Sequence, residues 1–263
     1  MSYLISSDCL IEDVRAICRI DPNARIISGQ EAVAGQFKHQ VANKFRTSGG
    51  SAFCGASLIC ENWVLTAAHC AQGGLSFNLY LGSLDQSLPV ELGRVILRAI
   101  EVHVHPGYND YLNHDIALLR MEQKVRFSDR IYPIPLATHR TDANRKLTVS
   151  GWGKTSDTSA ISPTLKYVEL NTISNNECAG VYGSRVVINE TLCCRGNPHH
   201  STCSGDSGGP LIELVNGRWV QAGVVSFVHA SGCASGNPSG YVRVENYLKW
   251  IRSTIGDTCT LLD

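Results

Sequence analysis

From about residue 26 onward, short β-branched or aromatic runs alternate with Gly, Pro, Asn and Asp, a pattern typical of strands separated by turns. The clearest runs occupy positions 64–67, 77–81, 95–104, 147–150 and 219–225. This pattern predicts an all-β fold, as in a barrel or a sandwich. One helix is predicted near the C-terminus, where apolar residues follow the i, i+3, i+4, i+7 spacing at Val244, Tyr247, Leu248 and Ile251.

The composition is that of an ordinary folded protein, with 43% hydrophobic and 17% charged residues. The 23 basic residues equal the 23 acidic residues in number. This balance argues against nucleic-acid binding and against a polybasic membrane anchor. No apolar run reaches the ~18 residues needed to cross a bilayer, so the sequence predicts no transmembrane segment.

Eleven cysteines indicate an oxidising compartment, and we expect a secreted, extracellular protein. Because the count is odd, at least one thiol is free or bonded to another molecule, and a disulfide-linked oligomer is one alternative. Residues 1–8 lack the basic start and the long apolar stretch of a secretory signal. We give the cysteines more weight and expect that a signal was removed and a methionine supplied. The Asn189-Glu-Thr triplet matches the acceptor pattern for N-glycosylation.

Three short segments contain the residue types used in nucleophilic catalysis. They are Leu-Thr-Ala-Ala-His-Cys at 65–70, Asn-His-Asp-Ile-Ala-Leu-Leu at 113–119 and Thr-Cys-Ser-Gly-Asp-Ser-Gly-Gly-Pro at 202–210. Each has a structural interpretation when taken alone, since a histidine can stabilise a core and an aspartate can begin a buried strand. The clustered glycines are more specific, because they let backbone N–H groups approach a reacting oxygen. The joint occurrence in the order His, Asp, Ser makes coincidence a poor explanation.

In these motifs, and in Trp152 between two glycines, the chain resembles the chymotrypsin-like serine proteases from Ile26 to about Ile251. The resemblance implies an all-β fold of two packed six-stranded antiparallel β-barrels with a C-terminal helix and an active site between the barrels. We expect a propeptide at 1–25 and a catalytic domain at 26–263. Within the domain, the first barrel is expected at about 26–135, the second at about 136–243 and the helix at about 244–253.

The resemblance also implies roles for the motif residues. Ser207 would attack the scissile carbonyl, His69 would accept its proton, and Asp115 would hold the imidazole in the required tautomer. The backbone N–H groups of Gly205 and Ser207 would form the oxyanion hole.

Arg25-Ile-Ile-Ser-Gly resembles the activation site of the family, with cleavage after Arg25 by a trypsin-like protease. The new ammonium of Ile26 would pair with Asp206 and order the oxyanion loop. Ser28 departs from the glycine that is usual at its position. In the uncleaved chain we expect the Ile26 nitrogen to lie far from Asp206.

By the same resemblance, Ser201 lies at the base of the primary specificity pocket and Val228 and Ser239 form its walls. Without an aspartate at the base, the charge of a substrate Lys or Arg would be unpaired, so cleavage after basic residues is disfavoured. The bulk of Val228 predicts a preference for small or medium hydrophobic residues, with Leu or Phe also accepted. Ser226 and its neighbours would pair with the substrate as an added strand, with Phe227 where tryptophan is common.

No cofactor and no metal are expected. The stretch that corresponds to the family's calcium loop, 82–86 with 93–94, lacks the paired glutamates. His199 and His200 could suggest a metal site. Adjacent side chains in a loop rarely bind the same ion, however, so we expect none there.

The resemblance implies three disulfides: Cys54–Cys70, Cys178–Cys194 and Cys203–Cys233. Pairings of the other five cysteines stay open at this point, and these are Cys9, Cys18, Cys60, Cys193 and Cys259. A Cys9–Cys18 loop, a Cys60–Cys259 link, a propeptide tether and an intermolecular bond are the alternatives. The family's tether position is occupied here by Pro135.

Two main functions compete. An active endopeptidase would have protein or peptide substrates, an activating protease and protein inhibitors as partners. The alternative is a non-catalytic binding or cofactor protein with the same fold. We favour the enzyme because the three catalytic positions and Gly205 are intact. A structural, covalently linked oligomer is a third, weaker hypothesis.

Overall fold

The computed structural model describes the backbone of residues 9–12 and 15–18, and all of residues 29–196 and 201–262. The expected activation junction at Arg25 and Ile26, the distance from Ile26 to Asp206, and His199 with His200 therefore lie outside the described residues.

Two short strands, β1 (Cys9–Glu12) and β2 (Arg15–Cys18), pair as an antiparallel hairpin in which Cys9 is opposite Cys18. The short strand β3 (Gln30–Glu31) begins the main body of the protein.

The first barrel is a closed ring of six antiparallel strands. In chain order they are β4 (Gln40–Thr47), β5 (Gly50–Leu58), β6 (Trp63–Thr66), β7 (Ser76–Leu81), β8 (Val95–Val104) and β9 (Ala117–Met121). The ring runs β4-β5-β6-β9-β8-β7 and closes where β7 pairs with β4. Its core is filled by inward-facing side chains, including Val41, Leu65, Leu79, Leu118 and Trp63.

The second barrel also has six antiparallel strands. They are β10 (Lys146–Gly151), β11 (Lys166–Ile173), β12 (Thr191–Arg195), β13 (Pro210–Val215), β14 (Arg218–Phe227) and β15 (Ser239–Arg243). The order β10-β13-β14-β15-β12-β11 closes because β11 pairs with β10, and β3 adds to the outside of β11. The fold predicted from the resemblance is thereby confirmed, and each of the five predicted strand runs lies largely within an observed strand.

Buried polar side chains join the two barrels. Ser150 Oγ of β10 donates to Gln40 Oε1 of β4 at 2.6 Å, and Ser57 Oγ of β5 donates to Gln221 Oε1 of β14 at 2.7 Å. Because unpaired polar groups are costly when buried, these bonds favour one docking of the barrels.

The C-terminal helix begins as a 3-10 turn at Val244–Tyr247 and continues as α2 (Leu248–Ile255). Its buried face joins the core of the first barrel, although the helix follows the second barrel in the chain. A second helix, α1 (Asn175–Tyr182), was not predicted. It has eight residues, and its N-cap is Ser174, whose side chain accepts a hydrogen bond from Glu177 N. Neither described helix has the length and apolarity to cross a membrane.

Two of the implied disulfides, Cys54–Cys70 and Cys203–Cys233, are present, and so is the Cys60–Cys259 link that the sequence left open. The expected Cys178–Cys194 pairing is wrong, because Cys178 is bonded to Cys193.

Successive side chains on a strand point to opposite faces, and this explains the correction. On β12, Cys193 packs with Cys178 beside α1, whereas Cys194 points into the core of the second barrel. Cys194 is a buried free thiol, and burial raises its pKa.

The side chain of Asn43, in the first barrel, lacks hydrogen bonds to the described residues. Asn43 is fully buried on the same face of β4 as Val41 and Phe45, and neither its Nδ2 nor its Oδ1 finds a hydrogen-bond partner among the described residues.

We expect Asn43→Leu to raise the free energy of unfolding by about 1–2 kcal/mol in urea denaturation, because the unpaired amide is removed. The matched change Asn78→Leu, at an exposed position of β7, should have an effect within about 0.5 kcal/mol. A loss of stability in Asn43→Leu alone would contradict this interpretation.

Candidate active site

His69 lies just after β6, in a 3-10 turn formed by Ala68–Cys70. The apolar run of β6 is fully buried in the first barrel, and the Cys54–Cys70 disulfide fixes the turn to β5. The imidazole is part-exposed at the surface of the barrel. The turn therefore presents His69 from a rigid base.

Asp115 lies before β9, and its side chain is fully buried. The carboxylate accepts three hydrogen bonds: from His69 N at 2.9 Å, from His69 Nδ1 at 2.7 Å and from Ser226 Oγ at 2.6 Å. Such donors are what a buried carboxylate needs to stay charged. Ser226 belongs to β14, so Asp115 is bound from both barrels.

The hydroxyl of Ser226 was missed by the sequence analysis, which gave this residue only a backbone role toward substrate. Its position in Ser-Phe-Val carries no signal that its side chain reaches Asp115, 111 residues away.

Ser207 lies in the loop between β12 and β13, and this loop packs against the first barrel. Gly55 N donates to Ser207 O at 2.8 Å, and Gly208 N donates to Val225 O at 2.8 Å. A Cβ at Gly208 would lie 3.1 Å from Ala67 N, two residues before His69. The structure thus brings the segments of Ser207 and His69 into contact, although no hydrogen bond between their side chains occurs within the described part of the chain.

The backbone at Gly205 has a conformation that suits glycine. Gly205 has φ +101°, and a Cβ there would lie 2.9 Å from Ile161 Cγ2. A side chain at this position would be both strained and crowded. Over the described ranges, the N–H groups of Gly205 and Ser207 donate to no protein acceptor.

Asp206 is fully buried between these two residues. Its carboxylate accepts from Cys203 N at 2.9 Å and from Gly153 N at 2.8 Å. A Cβ at Gly151 or at Gly153 would lie within 2.1 or 2.2 Å of its oxygens, so the two glycines around Trp152 make room for the carboxylate. Burial raises the pKa of Asp206 to about 6, against the opposing effect of the two backbone donors. No cation from residues 29–196 or 201–262 forms a salt bridge with it.

Three residues are expected to form the specificity pocket: Ser201, Val228 and Ser239. Ser201 and Ser239 are buried, and Val228 packs against the Cys203–Cys233 disulfide. Ser239 Oγ and the hydroxyl of Tyr241 are hydrogen-bonded at 2.8 Å. All three side chains are uncharged.

Asp157, which the sequence analysis did not single out, accepts from Cys233 N at 2.6 Å and so ties its own loop to the segment of the Cys203–Cys233 disulfide. The side chain of Asn189, in the turn before β12, is exposed.

Groups that resemble metal sites in the described residues each contain two cysteines joined in a disulfide, beside His69, Glu61 or Asp157. Disulfide sulfurs are not thiolate ligands, so these groups do not fit a metal. Glu91 lies between the two parts of the stretch compared with the calcium loop, and its carboxylate accepts from Ser83 Oγ at 2.8 Å and from Leu84 N at 2.9 Å. This carboxylate organises the loop through protein donors.

The family model described as Trypsin matches residues 26–251. Among curated proteins, the chain is 36% identical to "Collagenase" of Hypoderma lineatum over 240 residues, which cover 88% of each chain. It is 34% identical to "Chymotrypsin-like elastase family member 1" of Homo sapiens, covering 89% of this chain and 94% of that protein. It is also 34% identical to "Brachyurin" of Leptuca pugilator, covering 89% of this chain and 100% of the relative.

A solved structure, titled HL collagenase, superimposes with a TM-score of 0.80 at 34% identity. The match covers 88% of this chain and 99% of that chain.

The docking of the Ser207 loop can be tested at Gly208, where φ is +79° and a Cβ would lie 2.2 Å from Thr66 Oγ1 and 2.5 Å from Gly55 O. We expect Gly208→Ala to slow labelling of Ser207 by a fluorophosphonate about tenfold or more, because the loop must move away from the first barrel. Labelling is measured by mass spectrometry after cleavage at Arg25.

Gly217→Ala is the matched control. Its φ of +78° imposes the same backbone strain, but nothing lies within 4 Å of the added Cβ. Equal labelling rates in the two variants would show that the contact with the first barrel is unimportant.

Proposed function

The chain belongs to the trypsin family of serine proteases, and on this basis we propose that it is a secreted serine endopeptidase with His69, Asp115 and Ser207 as its catalytic residues. The observation that carries the proposal is the buried Asp115 carboxylate, which binds both the backbone and the imidazole of His69. Secretion is supported by the four disulfides among the described residues. Glycosylation at the exposed Asn189 fits the same environment.

The proposed reaction proceeds through an acyl-enzyme. Ser207 Oγ attacks the scissile carbonyl as His69 Nε2 takes its proton, and Asp115 stabilises the imidazolium that forms. The N–H groups of Gly205 and Ser207 bind the oxyanion of the tetrahedral intermediate. His69 then protonates the leaving amine, and a water activated by His69 releases the acyl group from Ser207.

Activation is proposed to follow cleavage after Arg25 by a trypsin-like protease. The ammonium freed on Ile26 would enter the site of Asp206 and pair with its carboxylate. Support comes from the burial of Asp206 and from its lack of a cationic partner in the described part of the chain. The pair would stabilise the loop that contains Gly205, and so complete the oxyanion hole.

The proposed specificity is for small to medium hydrophobic residues before the scissile bond. Ser201, Val228 and Ser239 offer no charge to a basic side chain, and Val228 is braced against a disulfide. Ser226 and Phe227, at the end of β14, would offer backbone groups to the substrate as an added strand. The similarity to a protein named collagenase makes collagen a substrate worth testing.

The function is tested by cutting the purified protein with trypsin at Arg25, removing the trypsin, and profiling cleavage of a peptide library. We expect cleavage after Ala, Val, Leu and related residues, and no cleavage by the Ser207→Ala control.

Val228→Gly should shift the Phe-to-Ala preference about tenfold toward Phe, because the proposed pocket wall loses the bulk of the valine side chain. Val90→Gly, at a side chain that is 85% exposed in a remote loop, should leave the profile unchanged.

Inactivity after verified cutting would instead support the non-catalytic binding function. Strong cleavage after Arg or Lys would contradict the pocket assignment.

The role of Asp206 predicts a pH dependence of stability. Because its pKa is about 6 in the folded protein against an ordinary 3.8, the folded state holds an extra proton between these values. Stability of the uncleaved chain should therefore fall as pH rises from about 4 to about 6, by up to about 3 kcal/mol, and stay low above that window. Asp206→Asn should remove most of this fall.

Denaturation curves of Ser207→Ala protein, which cannot digest itself, provide the measurement. Cleavage at Arg25 should restore stability at pH 7.5 in the Asp206 form and not in Asp206→Asn. The same pH dependence before and after cleavage would contradict pairing with Ile26.

A further inference from the structure

The backbone that leads into Asp115 is strained. Leu112 and His114 have φ values of +58° and +54°, in the left-handed region that non-glycine residues avoid. Ile116 N donates to His114 O at 2.8 Å, so Asp115 is the central residue of a tight three-residue turn. Such a conformation persists only where surrounding contacts hold it.

The imidazole of His114 has such contacts. Its Nδ1 is hydrogen-bonded to the hydroxyl of Tyr247 at 2.8 Å. Its ring stacks on His105 with centroids 5.2 Å apart and an interplanar angle of 28°. A Cβ at Gly107 would lie 2.8 Å from His114 Cδ2, which shows how closely the loop surrounds the ring.

Tyr247 is itself held firmly. It is buried at the start of the C-terminal helix, and its ring meets that of His105 edge-on at 5.2 Å. The far end of the helix is bound to the first barrel by the Cys60–Cys259 disulfide and by a hydrogen bond of 2.7 Å from Trp63 Nε1 to Thr258 Oγ1. These contacts hold the hydroxyl of Tyr247 in place, so that its hydrogen bond can hold the imidazole of His114.

A second contact holds the same loop from the other barrel. Asn113 Nδ2 donates to Arg185 O at 3.1 Å and to Val186 O at 3.3 Å, in the segment between α1 and β12. The two residues before Asp115 are therefore bound to different parts of the protein.

We propose that His114 is a positioning residue for Asp115, with Tyr247 as its anchor. The His114–Tyr247 hydrogen bond holds the left-handed turn, and the turn aims the Asp115 carboxylate so that it accepts from His69 N and His69 Nδ1 together. The inference rests on the proposed function, since it assigns to His114 and Tyr247 a part in catalysis by His69 and Ser207. Neither residue is proposed to touch the substrate.

The test compares Tyr247→Phe with the parent enzyme after cleavage at Arg25. The variant keeps the ring and its packing but loses the hydroxyl. We expect kcat to fall about fivefold, the effect of losing one ordinary hydrogen bond, with KM unchanged. Tyr167→Phe is the matched control, because it removes a hydroxyl that bonds to Gln30 on β3, and it should leave both constants unchanged.

His114→Gly completes a double-mutant cycle. Glycine adopts the left-handed conformation freely, so this variant removes the imidazole without forcing the backbone. We expect a loss of kcat similar to that of Tyr247→Phe, and no further loss when the two changes are combined. Additive losses would contradict a shared route through the hydrogen bond.

A readout without turnover separates this inference from the proposed function. In Ser207→Ala protein, the low-field proton resonance of His69 Nδ1–H reports its hydrogen bond to Asp115. Tyr247→Phe should speed the exchange of this proton with water and broaden the resonance, whereas Tyr167→Phe should not. An unchanged resonance in Tyr247→Phe overturns the inference whether or not the parent hydrolyses peptides, while an inactive parent overturns only the proposed function.

Discussion

A buried carboxylate that must be hydrogen-bonded is the constraint on which the rest of the site depends. Asp115 is fully enclosed, and its donors come from His69 on the first barrel and Ser226 on the second. Leaving such a charge with fewer donors is costly, so the bonds that orient the imidazole also favour the docking of the two barrels. Stability and chemistry are linked at this one side chain.

Close backbone approach is the second requirement. The Ser207 loop crosses from the second barrel to Gly55 on the first, and Gly208 permits the contact because any Cβ would meet Gly55 O. Glycines on either side of Trp152 leave the space that the Asp206 carboxylate occupies. These glycines let segments that are far apart in the chain approach each other closely, in addition to allowing local turns.

Much of the fold and the core of the site could be predicted, because the signals are local. Strand runs such as 95–104 show their β character within a few residues, and each of the three motifs contains one residue of the proposed triad. The disulfide of Cys178 could not be assigned, because choosing between Cys193 and Cys194 requires knowing which face of β12 meets α1. The resemblance to the family implied Cys194 as the partner of Cys178, and the observed partner is Cys193.

Side-chain contacts between distant segments could not be predicted from the sequence either. The bond from His114 to Tyr247 spans 133 residues, and neither residue lies in a pattern that indicates the other. The helix α1 was missed for a different reason, since its eight residues have only Cys178 buried and so lack an apolar stripe. Both features depend on tertiary packing that a local reading of the chain does not contain.

The claim that three distant residues act as one nucleophilic unit is tested most directly by trapping the acyl-enzyme. Protein cut at Arg25 is mixed with an activated ester, and release of the leaving group is followed from the first moments. We expect a burst of about one equivalent per chain, with the acyl group found on Ser207 by peptide mapping. A reaction with no burst, or an acyl group on another residue, would contradict the claim.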